Sequence, residues 1–451
     1  MTGEENRKFR NKLMRLVLPI AFQQFMLACV SAADALMLGN LAQDAMAAVS
    51  LAGQVTFVFN LFLAALTIGG NMFAAQYWGK GDRDTVEKIL GMILRYSMAV
   101  SAVFFLVSLC FPEFLMGIFT DDPAIAGYGV EYLRMVSPSY LLCGASQMYL
   151  CIMKNSDRAL QSTMISSAAV VVNIVLNGVL IYGLAGAPQM GAAGAALATV
   201  LARALELFWA VWDSYRPGCI RFRLRYFLRT ETELTKKFWK YTLPVLANEL
   251  VWGCGFAMYS VIMGHLGSDA VAANSVATIV KNLVVCFCLG IGSGGSIIVG
   301  NELGAGRLTQ AKIYAARLCR ICIAAGILSG LFIVALTPLI LQAVTLTPQA
   351  EEYLKWMLFM CSYYMLGKAI NSTTIAGIFC AGGDSKFGFL CDTIVMWCVT
   401  VPLGLLTAFV WKLPVLFVYF VINLDEMVKL PAVYRHYRKY IWVKDLTQRG
   451  E

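Results

Sequence analysis

Charge is what this sequence has least of. Of its 451 residues only 14% are Asp, Glu, Lys or Arg, while 59% are hydrophobic. A soluble domain carries about 25% charged residues. Too few charges remain to coat a water-soluble protein of this length, so a soluble enzyme, a nucleic-acid binder and a disordered scaffold are all poor starting points. Histidine is nearly absent too: His265 and His436 are the only two, which leaves no histidine cluster for a metal or for acid–base chemistry. The fourteen cysteines are scattered through apolar runs and form no spaced disulfide ladder. They read as small packing residues, and Cys319 with Cys322, a lone C-x-x-C at the start of an apolar run, reads the same way. No cofactor is expected.

What is present is a series of long apolar runs. A helix needs about 20 largely apolar residues to span a bilayer. Polar and turn-rich breaks leave twelve such runs, centred near residues 28, 60, 103, 141, 173, 202, 253, 285, 326, 366, 399 and 424. The first fifteen residues mix acids with bases, and the run after Leu16 is too long for a cleavable leader. The expected class is an all-α polytopic membrane protein.

Basic residues orient the spans. Thirty of the 36 Lys and Arg fall in the N-terminal tail, in alternate loops, in the 213–240 connector and in the C-terminal tail, with Lys429 counted among them. The loops at 40–44, 112–127, 183–190 and 265–270 contain none. Both termini are therefore expected in the cytoplasm of a cell-membrane protein. The partners implied are the lipid bilayer and a small-molecule substrate, with no nucleic acid, and the chain is expected to work as a monomer. Most of the +9 net charge is topology.

Shifted by 225 positions, the sequence matches itself without a gap. Leu18-Pro19 falls on Leu243-Pro244, Asp44-Ala45 on Asp269-Ala270, Gly69-Gly70 on Gly294-Gly295, and Gly79 and Gly81 on Gly304 and Gly306. Between residues 18 and 81 the overlay gives 18 identities in 64 positions. Six spans per repeat is an even number, so the halves keep one orientation, a parallel repeat of the kind found in transporters. The expected organisation is an N-terminal tail (1–15), a first six-helix lobe (16–212), a basic cytoplasmic connector (213–240), a second six-helix lobe (241–434) and a C-terminal tail (435–451). The pattern Gly290-Ile-Gly292-Ser-Gly294-Gly295 has the spacing of a dinucleotide loop. It lies deep inside an apolar span, though, where small residues serve close helix packing.

Ionisable groups within spans are costly and need a reason. They are Asp34, Arg203, Glu206, Glu249, Lys281 and Lys368. Arg203 and Glu206 stand three apart and can pair with each other. At 1.5 Å per residue, Asp34 lies about 8 Å below the outer turn at Gly39, Asn177 about 9 Å below Gly183 and Thr199 about 12 Å below Gly191. Asn173 is one turn from Asn177 on the same face. One carboxylate, two amides and a hydroxyl at similar depth suit Na⁺ through hard oxygen ligands, or a proton on the lone carboxylate. In the second lobe Glu249, Lys281 and Lys368 all fall near mid-membrane. A buried Glu–Lys pair there is as open a reading as a role in substrate binding or coupling.

These residues carry a recognisable pattern. Ala33-Asp34 with Gly39-Asn40-Leu41, Asn173-Ile-Val-Leu-Asn177 with Ile181-Tyr-Gly183, Gly191-Ala-Ala-Gly194 through Thr199, and Gly300-Asn-Glu-Leu-Gly304 occur in this order, with Leu243-Pro244, Leu266-Gly267 and Ala272-Ala273 in the second half and the duplication described above. The chain resembles the multidrug and toxic compound extrusion (MATE) family over essentially its whole length. That resemblance implies a secondary antiporter, driven by H⁺ or Na⁺, that exports organic and often cationic molecules by alternating access between two six-helix lobes. It assigns Asp34, Asn173 and Thr199 to the first-lobe cation site, where Asn177 stands in place of a frequent second aspartate. In the second lobe the chain departs from the family: Trp252 replaces a common glutamate, with Glu249 one turn earlier, and Lys368 lies near an acidic position. The alternative reading is a flippase for a lipid-linked precursor built on a related duplicated fold. Plentiful Phe, Tyr, Trp and Met (26, 19, 9 and 21) suit a pocket for flat cations.

Overall fold

The computed structural model describes residues 3–39, 43–186, 188–229 and 231–448. No strand occurs among them. The long helices are α1 (Gly3–Gly39), α2 (Gln43–Lys80), α3 (Arg83–Cys110), α4 (Pro138–Asn155), α5 (Ala159–Tyr182) and α6 (Gly191–Ser214). There follow α7 (Thr232–Gly264), α8 (Ser268–Gly304), α9 (Leu308–Ala343), α10 (Pro348–Asn371), α11 (Ser385–Val410) and α12 (Val415–Ile422). Among the described residues nine of these are long and apolar enough to cross a membrane. The expected spans near 141, 366 and 424 correspond to α4, α10 and α12, which do not meet that measure. Pro138 limits α4 to 18 residues. Helix α10 carries Glu351, Glu352, Lys355 and Lys368, and runs on into a π-helical stretch, Ser372–Phe379. The span expected near 424 is not one helix: α12 stops at Asn423, and short helices follow at Asp425–Val428 and Leu430–Arg438.

The repeat is visible in how the helices are punctuated. Pro19 lies inside α1 and Pro244 inside α7. Each removes an intrahelical donor at the same place in its repeat, a break that neighbouring helices make tolerable in a membrane. After α2 and α8 the chain turns at Gly81 (φ 83°) and Gly306 (φ 74°), left-handed positions that glycine takes without a Cβ penalty. Thr347 caps α10, its hydroxyl accepting from the Ala350 amide at 3.2 Å, with Pro348 in the first helical position.

The chain forms two compact units. The N-terminal unit comprises Met26–Ala74 and Asp82–Phe238; the C-terminal unit comprises Met1–Phe25, Ala75–Gly81 and Trp239–Glu451. In the N-terminal unit, Phe59, Phe104 and Tyr140 form an aromatic centre. Arg203 Nη1 meets Glu206 Oε2 at 2.6 Å, the pairing their spacing allows. In the C-terminal unit, glycines replace side chains where helices touch. A Cβ on Gly290 would lie 2.5 Å from that of Ala21, and one on Gly294 would lie 2.9 Å from Val17 Cγ2. The glycine run with a dinucleotide spacing is thus the seam between α1 and α8. The C-terminal segment is also tied down there: Trp442 is fully buried, and its carbonyl occupies the space a Cβ on Gly382 would need.

Candidate functional site

Helices α5 and α6 are held at a fixed register. A Cβ on Gly194 would sit 2.6 Å from the Leu180 carbonyl oxygen, and the Met190 amide donates to that same oxygen at 2.9 Å. From this contact Asn173 is seven residues back along α5 and Thr199 five residues on along α6, about 10 Å and 8 Å respectively. The two side chains meet: Asn173 Nδ2 donates to Thr199 Oγ1 at 3.4 Å. Asn177 Nδ2 donates to Asn173 Oδ1 at 3.3 Å, and Thr199 Oγ1 donates to the Ala195 carbonyl at 3.0 Å. Asn173 and Asn177 are buried. Three of the four residues expected at a first-lobe cation site therefore form one chain of neutral oxygen and amide groups. Asp34 belongs to α1, three residues before Met37, whose carbonyl accepts from Tyr182 Oη at 2.8 Å. The Asp34 side chain lies outside the described residues, as do Asn40 and Leu41.

The C-terminal unit holds a larger charged set than the sequence leads one to expect. Lys368 does not pair with Glu249. Its Nζ lies 3.1 Å from Glu426 Oε1 and 5.3 Å from the centre of the Trp252 ring. Asn371 Nδ2 donates to both the Oε2 and the main-chain carbonyl of Glu426, each at 2.7 Å. Lys429 Nζ is 2.8 Å from Asp392 Oδ1, 3.8 Å from Glu426 Oε2 and 3.9 Å from Asp425 Oδ2. The sequence places Lys429 among the basic residues of the cytoplasmic face. The structure instead buries it at 2% exposure, because the break after α12 turns the chain back into the unit. Gly367 permits this, since a Cβ there would lie 3.0 Å from the Glu426 backbone.

Lys281 and Glu249 stand apart from that set. Lys281 Nζ donates to Asn423 Oδ1 at 3.4 Å and lies 4.5 Å from the centre of the Tyr364 ring. Neither Lys281 nor Glu249 forms an ion pair among the described residues. Both are half-buried. Sequence reasoning missed Asp392, Asp425, Glu426 and Lys429. The signal that could have found them is the Asp425-Glu426-Met-Val-Lys429 spacing directly after the apolar Val415–Ile422 run, which places opposite charges three and four residues apart. No group of His, Cys, Asp and Glu among the described residues has the arrangement of a metal site.

A family model described as MatE matches residues 19–179 and 244–406. The two matched segments begin at the offset of 225 that overlays the sequence on itself. The chain belongs to the MatE family. Among this transporter's curated relatives, the multidrug resistance protein MdtK of Yersinia enterocolitica is 22% identical over 408 residues, covering 87% of this chain and 86% of MdtK. The uncharacterized transporter YisQ of Bacillus subtilis is 22% identical over 442 residues, covering 96% and 95%. Solved structures share the fold at 18% identity. One is a MOP superfamily transporter from Pyrococcus furiosus, described as having a binding pocket of reversed polarity (TM-score 0.87, covering 98% of this chain and 97% of that one). Another is a multidrug resistance MATE family transporter in an outward-facing conformation (TM-score 0.87, covering 95% of each). The MATE-family chain is accordingly an all-α membrane protein of two repeated lobes.

Proposed function

We propose that this MATE-family protein is a secondary antiporter that exports organic small molecules carrying a cationic group, in exchange for H⁺ or Na⁺. It would act as a monomer in the cell membrane, with both termini in the cytoplasm. The observation that carries the reading is the Asn177–Asn173–Thr199 chain on α5 and α6, to which the family resemblance adds Asp34 of α1. A carboxylate among neutral oxygens takes a proton, or joins them as ligands of a hard cation. Binding that differs between two conformations is what couples an ion to a substrate. MdtK, named for multidrug resistance, supports export as the direction and organic compounds as the cargo. Glu249, half-buried in the middle of α7 and in no ion pair among the described residues, lies one turn before Trp252, whose ring stacks on that of Phe256 at 5.6 Å, and suits an organic cation.

Transport by the purified protein in liposomes, with Na⁺ and H⁺ gradients imposed separately, tests this. One gradient is expected to drive export of a fluorescent organic ammonium compound. Asp34→Asn is expected to abolish it while the protein still elutes as a single folded species. Undiminished gradient-driven export by Asp34→Asn overturns the assignment.

A further inference from the structure

A short helix in the connector, Leu224–Leu228, rests on α3 at Gly91, where a Cβ would lie 2.7 Å from the Tyr226 main-chain carbon. Charged groups of α3 fasten it there. Tyr226 Oη donates to Asp84 Oδ1 at 2.6 Å, Arg223 Nε lies 2.5 Å from Glu87 Oε2, and Lys88 Nζ lies 2.7 Å from Glu231 Oε1. At about 100° per residue, the face shared by Leu224 and Leu228 is opposite to Tyr226, and so points away from α3. Both leucines are uncovered, at 62% and 65% exposure. Arg225 stands on the flank of that face, with Arg221 before the helix and Arg229 after it. All three arginines are exposed, and none forms a side-chain ion pair or hydrogen bond among the described residues.

The depth of this face follows from α3. That helix has 28 residues and is about 42 Å long. A hydrocarbon core of about 30 Å, begun at its Cys110 end, leaves about 12 Å at its Arg83 end. Gly91 is eight residues from Arg83, which is also about 12 Å. The short helix therefore lies where hydrocarbon gives way to headgroups, on the side read above as cytoplasmic. Leucines that point outward at this level meet acyl chains, and arginines beside them reach phosphates. Orientation during insertion accounts for basic residues in a connector. It does not account for two uncovered leucines set among them. We propose that this face of the connector is a membrane-interface anchor that selects anionic phospholipid of the phosphatidylglycerol type. Leu224 and Leu228 enter the acyl boundary, while Arg221, Arg225 and Arg229 take phosphates that no choline group neutralises.

Lipid binding to the purified full-length protein tests this without any ion gradient. The probes are phosphatidylglycerol and phosphatidylcholine carrying the same NBD-labelled acyl chain, titrated in mixed micelles and read by fluorescence anisotropy. Phosphatidylglycerol is expected to bind at least about tenfold more tightly, and each of Arg221→Gln, Arg225→Gln and Arg229→Gln to lower that preference about fivefold. The triple Arg→Lys variant is expected to keep the preference and to report that the connector still folds. Arg435→Gln, an exposed basic residue of the C-terminal unit, is expected to leave the preference unchanged. Leu224→Ser with Leu228→Ser is expected to weaken both lipids alike. Equal affinity for the two lipids overturns the proposal, as does a preference that survives the triple Arg→Gln variant. Full competition by water-soluble glycerol phosphate at an affinity equal to that of phosphatidylglycerol overturns it too, because the face would then take a free phosphate and not a membrane. Gradient-driven export is no part of this readout, so the antiporter reading stands or falls separately.

Discussion

Ala75 and Gly300 hold the same place in the two repeats, and they abut: a Cβ on Gly300 would lie 2.7 Å from that of Ala75. The contact continues reciprocally. Gly79 packs on the backbone of Asn301, and Gly304, its repeat mate, packs on the backbone of Gln76, the mate of Asn301. This is the pattern of an isologous interface, residue i on j and j on i, drawn within one chain. The ends of α2 and α8 therefore meet across a local two-fold axis inside the C-terminal unit.

Gly304→Ala is expected to lower the thermal unfolding midpoint. The added methyl would press on the Gln76 main chain, which has no rotamer to yield, and overpacking of that kind costs about 1–3 kcal/mol. Gly53→Ala, where nothing lies within 4 Å, is the matched comparison. It is expected to be neutral or stabilising by up to about 1 kcal/mol from helix propensity. Equal midpoints for the two variants would remove the contact from the account of stability.

Gln76 is fully buried and holds the C-terminal segment by three bonds. Its amide nitrogen donates to the carbonyls of Ala381 (2.7 Å) and Lys444 (3.2 Å), and its oxygen accepts from the Leu446 amide (2.6 Å). Gln76→Leu removes those three bonds, at about 1–3 kcal/mol for each group that neither water nor another partner then reaches. Hydrogen exchange at the Leu446 amide is expected to accelerate strongly. Unchanged protection there would mean that Trp442 alone secures the segment.

Lys429→Met strands Asp392 and Asp425, while Glu426 keeps Lys368 and Asn371, and is expected to destabilise the protein by about 3–5 kcal/mol, the usual result of removing one partner from a buried pair. Asp392→Asn in the same background is expected to recover part of that loss. A double-mutant cycle in a chemical-denaturation assay should return a coupling of about 0.5–3 kcal/mol. Strict additivity would show that the 2.8 Å contact contributes nothing specific.

Asn173→Ala removes both the donor to Thr199 and the acceptor for Asn177. Gradient-driven transport in liposomes is expected to fall at least about tenfold, or ~1.4 kcal/mol of coupling, with the unfolding midpoint little changed. Transport at the original rate would separate this chain of hydrogen bonds from coupling.

Much of this was legible in the residues. The duplication, the helical class and the meeting of Asn173 with Thr199 follow from composition, the 225-residue offset and rise per residue, all of which are local or periodic quantities. The second charged set was not legible in the same way. Counting basic residues by loop assigns Lys429 to a membrane face, because the count cannot register that the helix ends at Asn423 and the chain folds back. The pairing of Lys368 with Glu426 spans 58 positions, and no periodicity encodes a choice between Glu426 and Glu249. That choice is made by Gly367, whose missing side chain lets the Glu426 backbone approach.

The C-terminal unit draws on residues 1–25 and 75–81 of the first repeat, and this has a consequence for dissecting the protein. A polypeptide severed in the 213–240 connector yields a second fragment lacking Val17, Ala21 and Gln76, the groups that fill its own seams. The halves are duplicated in sequence but not interchangeable as modules. Fragment complementation, with the first half supplied in trans, is the condition under which the second half would acquire its structure.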